Sequence, residues 1–225
     1  MEPGLYVVGT PIGNLEDLTQ RALATLRGAA AILAEDTRRT RRLLSRYGIH
    51  VPLMSCHRFN EAARLEVVVR RLEEGAAVAL VTDSGMPAVS DPGARVVAAC
   101  RARGFRVTVV PGPSSVSTAI ALAGFDGDRF VFDGFLPRKH AARTQRLAEF
   151  AAERRTIVFF ESPHRLVSTL EGMVEALGDR PIFIGRELTK RFEQCVSGTA
   201  AELLSLFQAR RIRGEIVCVI SAASD

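Results

Sequence analysis

Three glycine- and proline-bearing segments carry the first chemical signal. Asp83-Ser84-Gly85-Met86-Pro87 and Pro111-Gly112-Pro113-Ser114-Ser115 each follow a short apolar run, and Gly9-Thr10-Pro11-Ile12-Gly13-Asn14 follows Leu5-Tyr6-Val7-Val8. Gly and Pro turn any chain. The second segment, however, opens a small-residue helix with Ser, and a helix start exposes unpaired N–H groups that can hold a carboxylate or phosphate. Two such loops at consecutive strand ends point to a small-molecule site. The Gly9 segment is not a G-x-G-x-x-G fingerprint, and Pro11 removes an N–H that a phosphate cradle would use, so a nicotinamide dinucleotide is not expected.

Charged groups stand at other strand ends. Glu35 and Asp36 close an apolar run at residues 29–34, and five arginines follow within residues 37–46. On a helix, Arg38, Arg42 and Arg46 share one side at i, i+4 spacing, which suits a row of phosphates; a solvated face is the plain alternative. His57 ends a further run and is a substrate-contact candidate, although a lone loop histidine is more often structural. Pro137-Arg138-Lys139-His140 is a basic loop, while Glu161-Ser162-Pro163-His164-Arg165 and Arg186-Glu187-Leu188-Thr189-Lys190 follow later apolar runs.

The elements that must position these groups alternate as strand and helix through the first half, which implies a parallel sheet whose ligands lie beyond the carboxyl ends of its strands. Helices are expected at residues 17–26 with Asp17 at the start, 61–74 with Leu65, Val68, Val69 and Leu72 inward, and 94–103. A strand is expected at 51–56. Asp126-Gly127-Asp128 reads as a surface turn. Beyond it, strands at 130–136, 156–160, 181–185, 193–197 and 215–221 imply a mixed sheet. Helices are expected there at 141–153, 163–177 and 200–209, the second starting at Pro163 and burying Leu166, Leu170, Val174 and Leu177.

At 225 residues, 47% hydrophobic and 24% charged, the chain suits one large or two smaller α/β domains and shows no disorder-prone bias. The net charge of +5 favours acidic partners such as nucleic acid, though weakly. Cys56, Cys100, Cys195 and Cys218 are widely spaced, so neither a metal site nor a disulfide framework is expected, and they read as small apolar residues. No apolar run approaches membrane-spanning length, and a cytoplasmic protein is expected.

Taken in order, Leu5 to Leu15, Ala34-Glu35-Asp36-Thr37-Arg38, Val81 to Pro87, Asp91-Pro92-Gly93, Pro111 to Ser114, Gly134-Phe135-Leu136-Pro137, Phe160 to Arg165 and Arg186 to Lys190 closely resemble the ribosomal RNA small subunit methyltransferase I family of the tetrapyrrole methylase superfamily. The resemblance spans essentially the whole chain. It implies two α/β domains, 1–112 on the substrate side and 113–225 completing the cofactor site, with S-adenosyl-L-methionine in the cleft between them. It further implies a homodimer, no metal, and 2′-O-methylation of a decoding-centre cytidine of 16S rRNA in the small ribosomal subunit.

Matched motif by motif, the resemblance assigns cofactor contacts to Pro11, Ile12, Asp83, Gly85, Met86, Val89, Ser114, Ser115, Phe160, Glu161, Leu188 and Glu215. Candidate proton acceptors are Glu35, Asp36, Glu161, Glu187 and Lys190, and candidate RNA contacts are Asn14, Arg38, Arg42, His57, Arg138, Lys139 and Arg165. Family members often carry a further C-terminal segment, whereas this chain stops at Asp225, soon after the last strand. Alternatives are a tetrapyrrole-precursor methyltransferase, which would share fold and cofactor, and a non-catalytic RNA-binding protein of the same fold.

Overall fold

A computed structural model of the chain describes residues 1–223. It divides into two compact units, Met1–Ser114 and Ser115–Asp225.

The first unit contains β1 (Gly4–Val8), α1 (Gln20–Gly28), β2 (Ala31–Ala34), α2 (Thr37–Arg46), β3 (Leu53–Ser55), α3 (Glu61–Glu73), β4 (Ala77–Val81), α4 (Ala94–Ala102) and β5 (Val107–Val110). Its five strands pair in the order β3-β2-β4-β1-β5, all in parallel. Parallel strands covered on both faces read as continuous apolar runs rather than alternations. Accordingly every residue of β1, β2 and β4 is buried. One face packs Tyr6, Val8, Ile32 and Ala79 against Ala22, Leu26, Leu43 and Leu44 of α1 and α2. The other packs Leu5, Leu33, Val78 and Leu80 against Val68, Leu72, Val96 and Cys100 of α3 and α4.

The second unit contains α5 (Ser115–Ala123), β6 (Phe130–Phe135), α6 (His140–Ala151), β7 (Thr156–Glu161), α7 (Leu166–Leu177), β8 (Ile182–Arg186), β9 (Gln194–Gly198), α8 (Ala200–Phe207) and β10 (Ile216–Ile220). Its sheet runs β6-β7-β10-β8-β9 and is mixed, with β6 and β7 parallel and the other pairs antiparallel. Helices α6, α7 and α8 enclose one core with Phe159, Ile184 and Cys218, and α5 packs on β10 and β8.

Several local expectations are corrected. The first helix starts at Gln20, not at Asp17, because Thr19 Oγ1 accepts the Ala22 N–H at 3.1 Å, while Asp17 belongs to a short 3-10 turn over Leu15–Asp17. The strand expected at 51–56 keeps only Leu53–Ser55, since Leu53, Met54 and Ser55 alone pair with β2. Pro163 is not in the helix. The N–H groups of Arg165 and Leu166 both go to Ser162 O, a tight turn from which α7 begins at Leu166. With that start, the buried stripe is Leu166, Thr169, Leu170 and Met173, leaving Val174 exposed. On α3 full burial is confined to Glu61, Val68 and Leu72. Cys56, Cys100 and Cys218 are buried, but Cys195 on the edge strand β9 is exposed.

Candidate functional site

In the first unit the parallel register sets Val8 beside Val110 and Val7 beside Leu80, so the carboxyl ends of β4, β1 and β5 are neighbours. The order also reverses here: the chain leaves β1 for β2 and β3 on one side, returns to β4, then crosses to β5. Such a switch point is where open α/β sheets bind ligands. The three segments singled out in the sequence therefore leave adjacent strands.

They are pinned to one another. Thr10 and Gly85 form an isolated antiparallel bridge, with Thr10 N donating to Gly85 O at 2.9 Å and Gly85 N to Thr10 O at 3.2 Å, and the buried Thr10 hydroxyl donates to Thr82 O at 3.1 Å. Gly85 has φ +82, and a Cβ there would touch Ile12 on one side and Pro113 O on the other. Gly9 and Gly112 pack backbone on backbone, with Met86 Sδ against Gly9. Pro11 and Ile12 are buried, Asp83, Met86 and Ser114 are half-buried, and Val89 is 42% exposed. The residues either side of Val89, Ala88 and Ser90, have φ 67 and φ 61, which side chains adopt only at a cost.

Acidic side chains meet beside this cradle, at the ends of β2 and β4. Thr82 Oγ1 lies 2.9 Å from Glu35 Oε2 and 2.6 Å from Asp91 Oδ2, and Asp83 Oδ1 accepts the Asp36 N–H at 3.0 Å. Burial pushes the Asp83 carboxyl above its ordinary value, with Glu35 and Asp36 adding to the effect against the opposing backbone hydrogen bond and Arg39. Asp36 goes the other way. Hydrogen bonds from the Arg38 side chain and N–H hold its carboxyl far below the usual range. Asp36 thus caps α2 and grips Arg38 through both oxygens, at 3.1 and 2.8 Å.

That pairing alters the expected arginine row. Arg38 is matched by Asp36, and Arg39 lies 3.5 Å from Asp83. Arg41, Arg42 and Arg46 are exposed and, among the described residues, have no carboxylate partner. Asn14 accepts the Glu16 N–H through its side chain, and His57 stands in the loop after β3.

The second unit holds the remaining candidates in two clusters. The buried Glu161 carboxylate takes Arg165 Nη2 at 2.6 Å, Thr169 Oγ1 at 2.7 Å and its neighbour's Ser162 N–H at 2.6 Å. Arg165 also donates to Leu136 O at 3.0 Å, tying the β6–α6 loop to the end of β7, while Arg138 and Lys139 in that loop are exposed. Phe160 packs between Phe132 and Phe135, with centroids 5.0 and 5.4 Å away.

Beyond β8, Glu187 Oε1 accepts from Lys190 Nζ at 2.8 Å and from the Glu215 N–H at 3.0 Å, and Lys190 also reaches Glu215 Oε2 at 3.0 Å. Burial acts against both charged forms, but these bonds outweigh it, lowering the Glu187 carboxyl and raising the Lys190 ammonium. Gly214 is required here, because a Cβ would strike the Glu187 side chain. Leu188 is buried, and its neighbours Glu187 and Thr189 have φ 53 and φ 63. Ser115 is the first residue of α5.

Sequence reading missed three supports. Asp91-Pro92-Gly93 reads as a turn only, yet Asp91 bonds Thr82. Glu61 stands in the sequence only as the first residue of an expected helix, yet it is buried and accepts the Gly93 and Arg95 N–H groups at 3.1 Å, capping α4 from the start of α3. Arg180 gives no signal at all, yet its guanidinium holds three backbone carbonyls. Among the described residues no group of three or more His, Cys, Asp or Glu side chains could hold a metal, and no helix is long and apolar enough to cross a membrane.

Residues 4–204 match the family model of tetrapyrrole (corrin/porphyrin) methylases. A ribosomal RNA small subunit methyltransferase I of Thermotoga maritima is 49% identical over 217 residues, 96% of this chain and 97% of the relative. Its counterpart in Haemophilus influenzae is 44% identical over 219 residues, 96% of this chain and 77% of the relative. In fold, the chain is similar to a cobalt precorrin-4 methyltransferase, with a TM-score of 0.73, 21% identity and coverage of 96% and 94%. It is also similar to a uroporphyrin-III C-methyltransferase of Thermus thermophilus, solved with S-adenosyl homocysteine, with a TM-score of 0.69, 19% identity and coverage of 97% of each chain.

Proposed function

This chain belongs to the tetrapyrrole methylase family, and from that premise we propose that it is an S-adenosylmethionine-dependent ribosomal RNA methyltransferase acting on the 2′-hydroxyl of a decoding-centre cytidine in 16S rRNA. The observation that carries the reading is the cradle of three pinned loops at the β4-β1-β5 switch point, in a chain 49% identical to a small subunit rRNA methyltransferase. The substrate is the small ribosomal subunit and the working form a homodimer.

The residues fit the cofactor. Gly85 leaves room between the Ile12 and Pro113 loops, Asp83 offers a carboxylate to a ribose or amine, and Val89 offers an exposed apolar side chain. When bound, the cofactor supplies an electrophilic methyl group. The chain must align the acceptor hydroxyl and take its proton. Alignment alone is worth roughly 7–11 kcal/mol.

Among the candidate bases, Glu161 is enclosed by Arg165, Thr169 and Ser162, Asp36 is committed to capping α2, and Glu187 and Lys190 hold each other. These orient loops. Glu35 keeps Oε1 without a hydrogen-bond partner among the described residues, and it is the proton acceptor in this reading.

The test is titration calorimetry with S-adenosylmethionine, then methyl transfer to small subunits lacking the modification, with the product mapped by resistance to alkaline cleavage after the modified ribose. Glu35→Gln is expected to bind cofactor normally and turn over about 10²- to 10⁴-fold more slowly. Methyl transfer to a base, or to a tetrapyrrole precursor instead of RNA, would reject the proposed reaction. Full activity in Glu35→Gln would reject the proposed base.

A further inference from the structure

Phe59 is 93% exposed, the most exposed of the large apolar side chains among the described residues. A ring in that position contributes almost nothing to the fold. The loop that carries it is nonetheless well tied. His57 N donates to Asn60 Oδ1 at 2.7 Å, Asn60 N and Glu61 N both donate to His57 O, and Asn60 Nδ2 donates to Ser55 Oγ at 3.2 Å. Arg64 reaches back from α3 to Ser55 O at 3.0 Å. The His57 ring meets Phe59 edge to face, with centroids 6.1 Å apart and planes at 64°. Phe192, the next most exposed phenylalanine at 67%, already has the Arg191 guanidinium over its ring.

A cationic side chain stands beside the ring. Arg58 is exposed next to Phe59 in the chain. An exposed ring beside a guanidinium suits unpaired RNA, stacking a base while the cation meets its phosphate.

We propose that Phe59 is a stacking platform for an unpaired base of the substrate RNA, with Arg58 on the adjoining phosphate and the His57 loop holding the ring in place. The inference rests on the rRNA reading above and adds a specificity-determining contact to it.

The test compares wild type with Phe59→Ala, Phe59→Leu and Phe59→Trp, using fluorescence anisotropy on a labelled single-stranded rRNA fragment and methyl transfer to small subunits. Stacking predicts that Phe59→Ala weakens RNA binding about 5- to 150-fold. Leu, apolar but without a π face, should recover little, and Trp should match or exceed wild type. Cofactor affinity and melting temperature should not move. The salt dependence of RNA binding should keep its slope in Phe59→Ala, whereas Arg41→Ala with Arg42→Ala should flatten it by about 1.4 for single strands.

Wild-type RNA affinity in Phe59→Ala, or full recovery by Leu, overturns the stacking platform. A changed oligomeric state in Phe59→Ala overturns it too, by showing that the ring seats on a second copy of the chain. If wild type itself neither binds nor methylates RNA, the functional reading fails, which is a different result from wild type succeeding and the Ala variant matching it.

Discussion

Replacing Gly9 by Ala tests whether the close packing of loops in the first unit shapes the proposed cofactor site. A Cβ at position 9 would stand 2.6 Å from Met86 Sδ and 2.7 Å from both Cα and N of Gly112, and one at position 112 would stand 2.9 Å from Cα and C of Gly9. Carbon contacts are optimal near about 3.5–4.0 Å. Met86 can swing its sulfur aside, but the Gly112 backbone cannot, so the ends of β1 and β5 must part by roughly 1 Å. Overpacking of that kind costs about 1–3 kcal/mol of stability. In the site it matters more, since a displacement of about 1 Å can lower the rate about 10²-fold. The assay is S-adenosylmethionine affinity by calorimetry, initial methyl-transfer rates and thermal unfolding of the full chain. Gly75→Ala is the control, because Gly75 has φ +79 but nothing within 4 Å of its added Cβ, so it bears only backbone strain. Gly9→Ala is expected to lose cofactor affinity and rate where Gly75→Ala loses stability alone. If both variants bind cofactor as wild type does, the loops are not a preformed cradle and the steric argument is wrong.

Two further outcomes concern charge. Arg180 is buried and donates to Ser221 O at 2.6 Å, Phe150 O at 2.5 Å and Glu153 O at 2.9 Å, so Arg180→Met should strand three carbonyls and cost at least about 3 kcal/mol in urea unfolding; a loss below about 1 kcal/mol would show that water replaces the guanidinium. Asp83 has its carboxyl raised by burial above the ordinary 3.8, so its ionised form is disfavoured in the folded state and the associated stability is present below that value and lost as pH rises through the folded value. Asp83→Asn should therefore raise the melting temperature at neutral pH, lose that advantage below about pH 4, and weaken cofactor binding; a variant less stable than wild type at pH 7 would mean that the Arg39 and Asp36 contacts outweigh the burial.

The parallel pairing of the first sheet was legible because unbroken apolar runs such as Ala77–Val81 end abruptly in turn residues, a signal local to the chain. What stayed hidden depends on partners distant in sequence. Glu61 caps a helix that begins more than thirty residues later, so nothing near it marks the carboxylate as buried. The arginine row misled in part for the opposite reason. Spacing placed Arg38 with Arg42, but the i, i+2 capping geometry of Asp36 captures Arg38, and periodicity carries no information about which cation finds a carboxylate. Pro163 suggested a helix start from composition alone, whereas Ser162 O, taking two N–H groups at once, sets the start three residues later.

The strained residues link these hidden supports to the site. Ala88 and Ser90 flank Val89, and Glu187 and Thr189 flank Leu188, so among the described residues each unit has one loop in which two side-chain-bearing residues at positive φ enclose an apolar one. At about 1–2 kcal/mol each, the four cost about 4–8 kcal/mol, which is comparable with the whole net stability of an ordinary domain. Glycine would relieve that cost at every one of these positions, and turning the chain does not require the side chains. They persist because each loop is fixed by several contacts at once. In the first unit Ala88 N bonds Pro92 O at 3.2 Å, Asp91 meets Thr82, and Glu61 caps the helix that follows. In the second, Thr189 N bonds Glu193 Oε2 at 2.6 Å and Glu187 is held between Lys190 and Glu215. In the first unit the supports hidden from the sequence, Glu61 and Asp91, hold the strained loop, and strain in the residues flanking Val89 and Leu188 is what a preorganised binding surface is expected to show.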